Sequence, residues 1–214
     1  MGHAGSVVAT DISPRILELA QRNARSAGYT NVETLVADGE EFSFPRVFDA
    51  AVCRLGLMFY PEPAKGLAQI YSALQSGGWV STVVFSDAEN NPCVVTAVRI
   101  ALKHAGSGDF DPDRPSGLLS LGKPGSINTL FENAGFRDVT TVKISAPMRL
   151  PTMEHYLRFL RDSAGPVLHL MARMDDSRNT EAWLEMATEL RQFETADGWS
   201  GPNELLVSSG RKCA

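Results

Sequence analysis

The stretch Ser6 to Ser13, SVVATDIS, constrains the fold of this chain more than any other. Val7, Val8 and Ala9 form the kind of apolar run found in strands buried on both faces of a parallel sheet. Ser13 followed by Pro14 has the grammar of a helix start, with serine as N-cap and proline at the first helical position. The segment therefore predicts strand, turn and helix in succession, with Asp11 at the strand's carboxyl end. In open α/β sheets that edge is where ligands bind, and a carboxylate there can accept hydrogen bonds from both hydroxyls of a ribose. Taken alone, the stretch also admits a plainer reading of Asp11 as a solvated turn residue or helix cap.

The same alternation continues downstream. Arg15 to Ala27 carries Ile16, Leu17, Leu19, Ala20 and Ala24 at helical spacing, with Gly28 as its stop. Asn31 to Ala37 reads as a second strand, ending in Asp38-Gly39, so another acidic residue falls at a strand's carboxyl end. Val47 to Arg54 (VFDAAVCR) is a third strand, leading into the glycine-containing turn Leu55 to Tyr60. Pro61 and Pro63 open a helix expected to run through Leu74 and to stop at Gly77-Gly78. Trp79 to Phe85 (WVSTVVF), dense in β-formers, is a fourth strand. Strands alternating with helices specify an α/β fold, a Rossmann-like, mostly parallel sheet with right-handed crossovers.

Beyond Phe85 the texture changes. The segment Ser86 to Leu121 predicts a lid, with one helix around Val94 to His104 and a Gly, Asp and Pro-rich stretch from Gly106 to Pro115. A helix over Lys123 to Ala134 and a strand over Val139 to Ile144 follow. Helices over Thr152 to Leu160, Pro166 to Met174 and Glu181 to Phe193 form a helical cap, and Glu204 to Ser208 suits a last strand at the sheet's far side. The expected division is a core over 1–150 with its lid insertion at 86–121, a cap over 151–200, and a final strand within 201–214 that returns to the core sheet.

A formal net charge of -5 and a pI near 5.4 argue against a nucleic-acid binder, which usually presents a basic face. No apolar stretch approaches the roughly 18 residues of a membrane span. Cys53, Cys93 and Cys213 are scattered and odd in number, which points to a reducing cytoplasm and to neither a disulfide framework nor a metal site.

Five stretches in order, VVATDIS, NVETLVADGE, FDAAVCRLGLMFYPEP, LQSGGWV and FENAGF, resemble the class I S-adenosylmethionine-dependent methyltransferases that act on small molecules. The resemblance implies S-adenosylmethionine as cofactor and a small-molecule acceptor. It implies that Asp11 holds the cofactor ribose, that Ile12 packs on the adenine, and that Asp38, with Gly39 beside it, accepts the adenine amino group. Cys53, Arg54 and Leu55 would line the methionine end. One departure stands out. The family's first strand and glycine-rich loop, about 20 residues ahead of the ribose acid in nucleotide-binding units, have no room before Asp11. Gly2-His3-Ala4-Gly5 is no substitute, because no strand precedes it. That sheet, truncated at its amino-terminal end, would lack a strand between the Val7 and Val47 strands. The expectation is that these two pair directly or that a second copy of the chain covers the gap, a homodimer being favoured because exposed strand edges seek partners.

Methyl transfer from a sulfonium needs alignment more than catalytic groups, and a base only for a protonated acceptor. Candidate bases are His104, His155 and Tyr156, with Arg158 and Arg161 nearby, each also readable as structural or solvated. His169, among apolar neighbours, reads as a packed histidine. Met58, Phe59 and Tyr60 would wall an acceptor pocket or belong to the core. Arg54 would meet the cofactor carboxylate or a surface acid, and Cys53 reads as a small buried hydrophobe. Asp87 and Glu89 would border the cavity or sit in a solvated turn. Two other functions compete: a cofactor-free binding or interaction module of the same fold, and a serine hydrolase. The hydrolase lacks a G-x-S-x-G elbow, and Ser13 and Ser86 have no obvious paired histidine.

Overall fold

The computed structural model describes residues 2, 4–44 and 47–213; His3 lies outside them. The chain opens as its first residues dictate. Strand β1 (Val7–Asp11) turns at Ser13, whose Oγ accepts the N–H of Ile16, into helix α1 (Pro14–Ser26), and Gly28 with φ +81° ends it. Strand β2 (Val32–Val36) then pairs parallel to β1, in a register that sets Asp11 beside Val36.

Strand β3 (Phe48–Arg54) leads through a 3-10 turn at Leu57–Phe59 into helix α2 (Pro63–Ala73), and strand β4 (Leu74–Phe85) runs parallel to β3. The helix stops one residue earlier than expected, and Gly77 and Gly78 lie inside the strand rather than before it. The cause is a long-range one. Gly77 N–H donates to the Lys212 carbonyl and Lys212 N–H donates to that of Gly78, so the chain's last residues draw this glycine pair into the sheet. Lys212 Nζ also donates to the Tyr71 and Leu74 carbonyls, both at 2.7 Å, closing the carboxyl end of α2 with a cation.

Helix α3 (Pro92–Ala105), helix α4 (Ser126–Asn133), strand β5 (Arg137–Ser145) and the short strand β6 (Met148–Leu150) follow. Helices α5 (Met153–Ser163), α6 (Gly165–Met171) and α7 (Asp176–Leu190) come next, then strands β7 (Glu194–Thr195), β8 (Gly198–Gly201) and β9 (Glu204–Arg211). The three short strands form a sheet of order β6-β8-β7, which periodicity did not reveal because its strands are two to four residues long.

The main sheet has the order β3-β4-β9-β5. Strand β9 was expected at the far side, yet it lies between β4 and β5 and runs antiparallel to both. Its small residues explain the position. A Cβ at Gly210 would stand 2.8 Å from the Phe131 ring and 3.0 Å from Phe136, so only glycine lets α4 pack this closely there. Strands β1 and β2 form a separate two-stranded sheet. The direct pairing expected of β1 and β3 does not occur, and among the described residues the second edge of each carries no strand.

Two apolar cores result. One joins Leu57, Leu67, Val80, Val84, Ile127 and Phe131 between the main sheet and helices α2 and α4. The other holds the cap together around Trp199, whose ring stacks on Tyr156 at 4.4 Å and whose Nε1–H donates to the Leu190 carbonyl. The opposite face of the main sheet stays open: Val52 is 76% exposed and Val142 54%. Among the described residues no helix is long and apolar enough to cross a membrane.

Candidate active site

Because β1 and β2 are parallel and in register, their last residues arrive at the same rim. Ala37 N–H donates to the Asp11 carbonyl at 3.1 Å, which extends the ladder and carries Asp38 to that edge. Each carboxylate closes a tight turn of its own. Asp11 Oδ1 accepts the N–H of Ser13 at 2.8 Å, and Asp38 Oδ1 accepts that of Glu40 at 2.9 Å. One oxygen of each is thus taken by backbone and the other remains for a ligand. Ile12, next to Asp11, is 72% exposed, an apolar side chain held in solvent beside an acid.

Tyr60 joins this rim to the main sheet. Two glycines lie against one edge of its ring: a Cβ at Gly39 would lie 2.0 Å from its hydroxyl oxygen, and one at Gly66 of α2 would lie 2.4 Å from the adjoining ring carbons. Burial first, and then the charges of Cys53, Asp38, Glu40 and Asp11, raise its phenol pKa to about 12. Those four groups therefore lie within electrostatic reach of the Tyr60 hydroxyl. Glu40 ties the loop after β2 to α2 by accepting the N–H of Glu62, while Gln69 donates to the Glu40 carbonyl. Sequence reading missed Glu40, although the acidic run Asp38-Gly39-Glu40-Glu41 was there to suggest it. It left Tyr60 between an acceptor pocket and the core; the ring sits partly buried beside the acidic rim.

The turn after β3 holds the other expected residues. Leu55 has φ +53°, a left-handed conformation that a side chain as large as leucine seldom takes, and its N–H donates to the Val83 carbonyl at 2.8 Å. Successive strand residues point to opposite faces. Cys53 accordingly packs toward the core shared with α2, where burial raises its thiol pKa, while Arg54 stands exposed on the open sheet face beside Val83. These residues lie at the end of one strand but do not share a face.

The candidate bases fall in the cap. His104 Nε2 lies 2.8 Å from Glu185, which also binds Lys103; this ties α3 to α7, and the hydrogen bonds from Lys103 and His104 hold the Glu185 carboxyl below its usual range. His155 is exposed at the start of α5, with Nδ1 3.0 Å from the Thr152 hydroxyl. Tyr156 is buried, and its hydroxyl donates to the Cys93 carbonyl. Burial keeps that phenol protonated far above neutral pH. None of the three hydrogen-bonds to a rim residue. Ser13 caps α1 and Ser86 Oγ accepts from Asn91, so neither serine meets a histidine. Among the described residues no group of three metal-ligating side chains converges.

Residues 1–78 match the family model described as a methyltransferase domain. Over 82 residues the chain is 32% identical to the aklanonic acid methyltransferase DauC of Streptomyces sp. strain C5, a match covering 38% of this chain and 37% of that protein. It is 24% identical over 221 residues to an uncharacterized protein of Mycobacterium bovis, covering 97% of this chain and 73% of the relative. Among solved structures, a putative methyltransferase from Bacillus halodurans superposes with a TM-score of 0.59 at 19% identity, over 98% of this chain and 84% of that one. The amino-terminal 78 residues thus match a methyltransferase domain, and the α/β fold is shared along the chain with the solved putative methyltransferase.

Proposed function

We propose that the protein is a methyltransferase that uses S-adenosylmethionine and acts on a small organic molecule. The observation that carries this reading is the pair Asp11 and Asp38, delivered by neighbouring parallel strands to one rim with an oxygen of each left over. Two carboxylates so placed fit the hydroxyls of a ribose and the amino group of an adenine, and exposed Ile12 fits a flat apolar ring. When bound, the cofactor supplies an electrophilic methyl group on its sulfonium. The chain's own residues would grip the nucleoside and fix its orientation, since alignment is the larger part of such a transfer. Tyr60, protonated up to about pH 12, would serve as a hydrogen-bond donor at the rim and not as a base. A relative named for acting on aklanonic acid supports a small-molecule acceptor.

Calorimetric titration with S-adenosylmethionine tests the reading. Loss of one charge-assisted hydrogen-bonded contact, worth about 1.5–3 kcal/mol, should weaken binding by about ten- to a hundredfold in Asp11→Asn and again in Asp38→Asn. His155→Ala should leave it unchanged. Absence of heat at millimolar cofactor would favour the second reading, a cofactor-free module. That reading draws on the strand edges of β1 and β3, which face no partner among the described residues. The same edges, with the open sheet face, support a homodimer; a light-scattering mass of one chain at micromolar concentration would exclude it.

A further inference from the structure

A cavity of about 540 Å³ opens between α3, α6 and the loop 107–119, within the size range of small-molecule sites. One side of it is apolar: Val94, Val98 and Leu102 from α3, Leu170 from α6, and Phe110 and Leu119 from the loop. The loop is anchored and not loose. Leu119 is buried, Gly117 N–H donates to the Arg114 carbonyl at 2.9 Å, and Ser120 Oγ donates to the Met58 carbonyl at 2.8 Å.

Two arginines, Arg114 and Arg173, also line this cavity. Among the described residues neither guanidinium is ion-paired with a carboxylate. Arg173 Nη2 instead lies 2.8 Å from His169 Nε2. A guanidinium only donates, so in this contact the ring nitrogen is the acceptor. The remaining N–H groups of Arg173 are left for another acceptor. Of the acids on the lining, Asp111 is turned into its own loop, accepting the N–H of Asp113, while Asp109 shares the exposed mouth. Unpaired planar donors above an apolar wall suit a flat organic anion, because guanidinium binds a carboxylate through two parallel hydrogen bonds.

We propose that this cavity binds an apolar, ring-sized organic carboxylate, its ring on the valine and leucine walls and its charge on Arg173 and Arg114. The proposal does not depend on methyl transfer or on cofactor binding. The test is calorimetry on the intact chain without cofactor, with naphthalene-2-carboxylate and its neutral counterpart 2-naphthylmethanol as probes. The carboxylate should bind at least about tenfold more tightly, and the double change Arg114→Gln with Arg173→Gln should bring the two probes within about twofold. Both arginines are exposed, so the variant should keep the parent's melting temperature. In methyl-resolved NMR the carboxylate should shift Val94, Val98 and Leu170. Equal affinity for the two probes, no binding of either, a preference that survives the double change, or shifts concentrated at Val52 and Val142 on the open sheet face would each overturn it.

Discussion

Gly39→Ala offers the sharpest test of how the rim is built. The backbone at Gly39 is not left-handed, so alanine is conformationally allowed and the effect is steric alone. The new methyl would stand 2.0 Å from the Tyr60 hydroxyl oxygen, 2.7 Å from the ring carbon bearing it and 3.0 Å from the next carbon. Gly66 of α2 lies against the same edge of the ring, so the ring cannot slide along that edge toward the helix. Either Tyr60 swings out toward solvent or the loop after β2 lifts off α2 and loses the bond from Glu62 N–H to Glu40. Overpacking of this kind costs about 1–3 kcal/mol. For a chain of this size that is a fall in melting temperature of about 2–4 °C per kcal/mol. The assay is urea unfolding of wild type, Gly39→Ala, Tyr60→Ala and the double variant. With the ring gone the methyl has nothing to strike, so the double variant should be more stable than additivity predicts by about 1 kcal/mol or more. Additivity within about 0.5 kcal/mol would refute this packing, as would a Gly39→Ala protein that unfolds at the wild-type midpoint.

The phenol of Tyr60 gives a pH prediction. Its pKa is raised from 10.0 to about 12 on folding, so its contribution to stability is complete below pH 10 and is lost as pH rises toward 12. By linkage the loss is at most about 2.7 kcal/mol, and Tyr60→Phe should show a flatter urea midpoint across that window; identical slopes would contradict the burial. Thiol labelling at pH 8 should find Cys213 fast and the other two slow, since Cys213 is exposed while burial pushes Cys93 to about 11 and raises Cys53. Comparable rates at all three would refute this. Trp199→Ala should destabilise the cap by about 3–5 kcal/mol, read by thermal unfolding, because it removes a buried ring and its bond to Leu190. A change under 1 kcal/mol would count against the cap core.

Local chemistry wrote much of this structure into the sequence. The β-branched run before Asp11, the Ser13-Pro14 helix start and the glycine stops act over a few residues, so strands and helices were legible, and with them the arrival of two acids at strand ends. Parallel pairing of β1 with β2 then had to bring Asp11 and Asp38 to one rim. What tertiary structure alone decided is whatever rests on a partner far along the chain. The interior place of β9, the capture of Gly77 and Gly78 by Lys212, and the separation of β1 from β3 rest on pairings that no short window contains. The same holds for Tyr60, whose role follows from two glycines 27 residues apart in number (66 less 39) closing on its ring, and for Cys53 and Arg54, adjacent in sequence but sent to opposite faces by the strand. Propensity is a property of neighbours in the chain, whereas a site is made by neighbours in space.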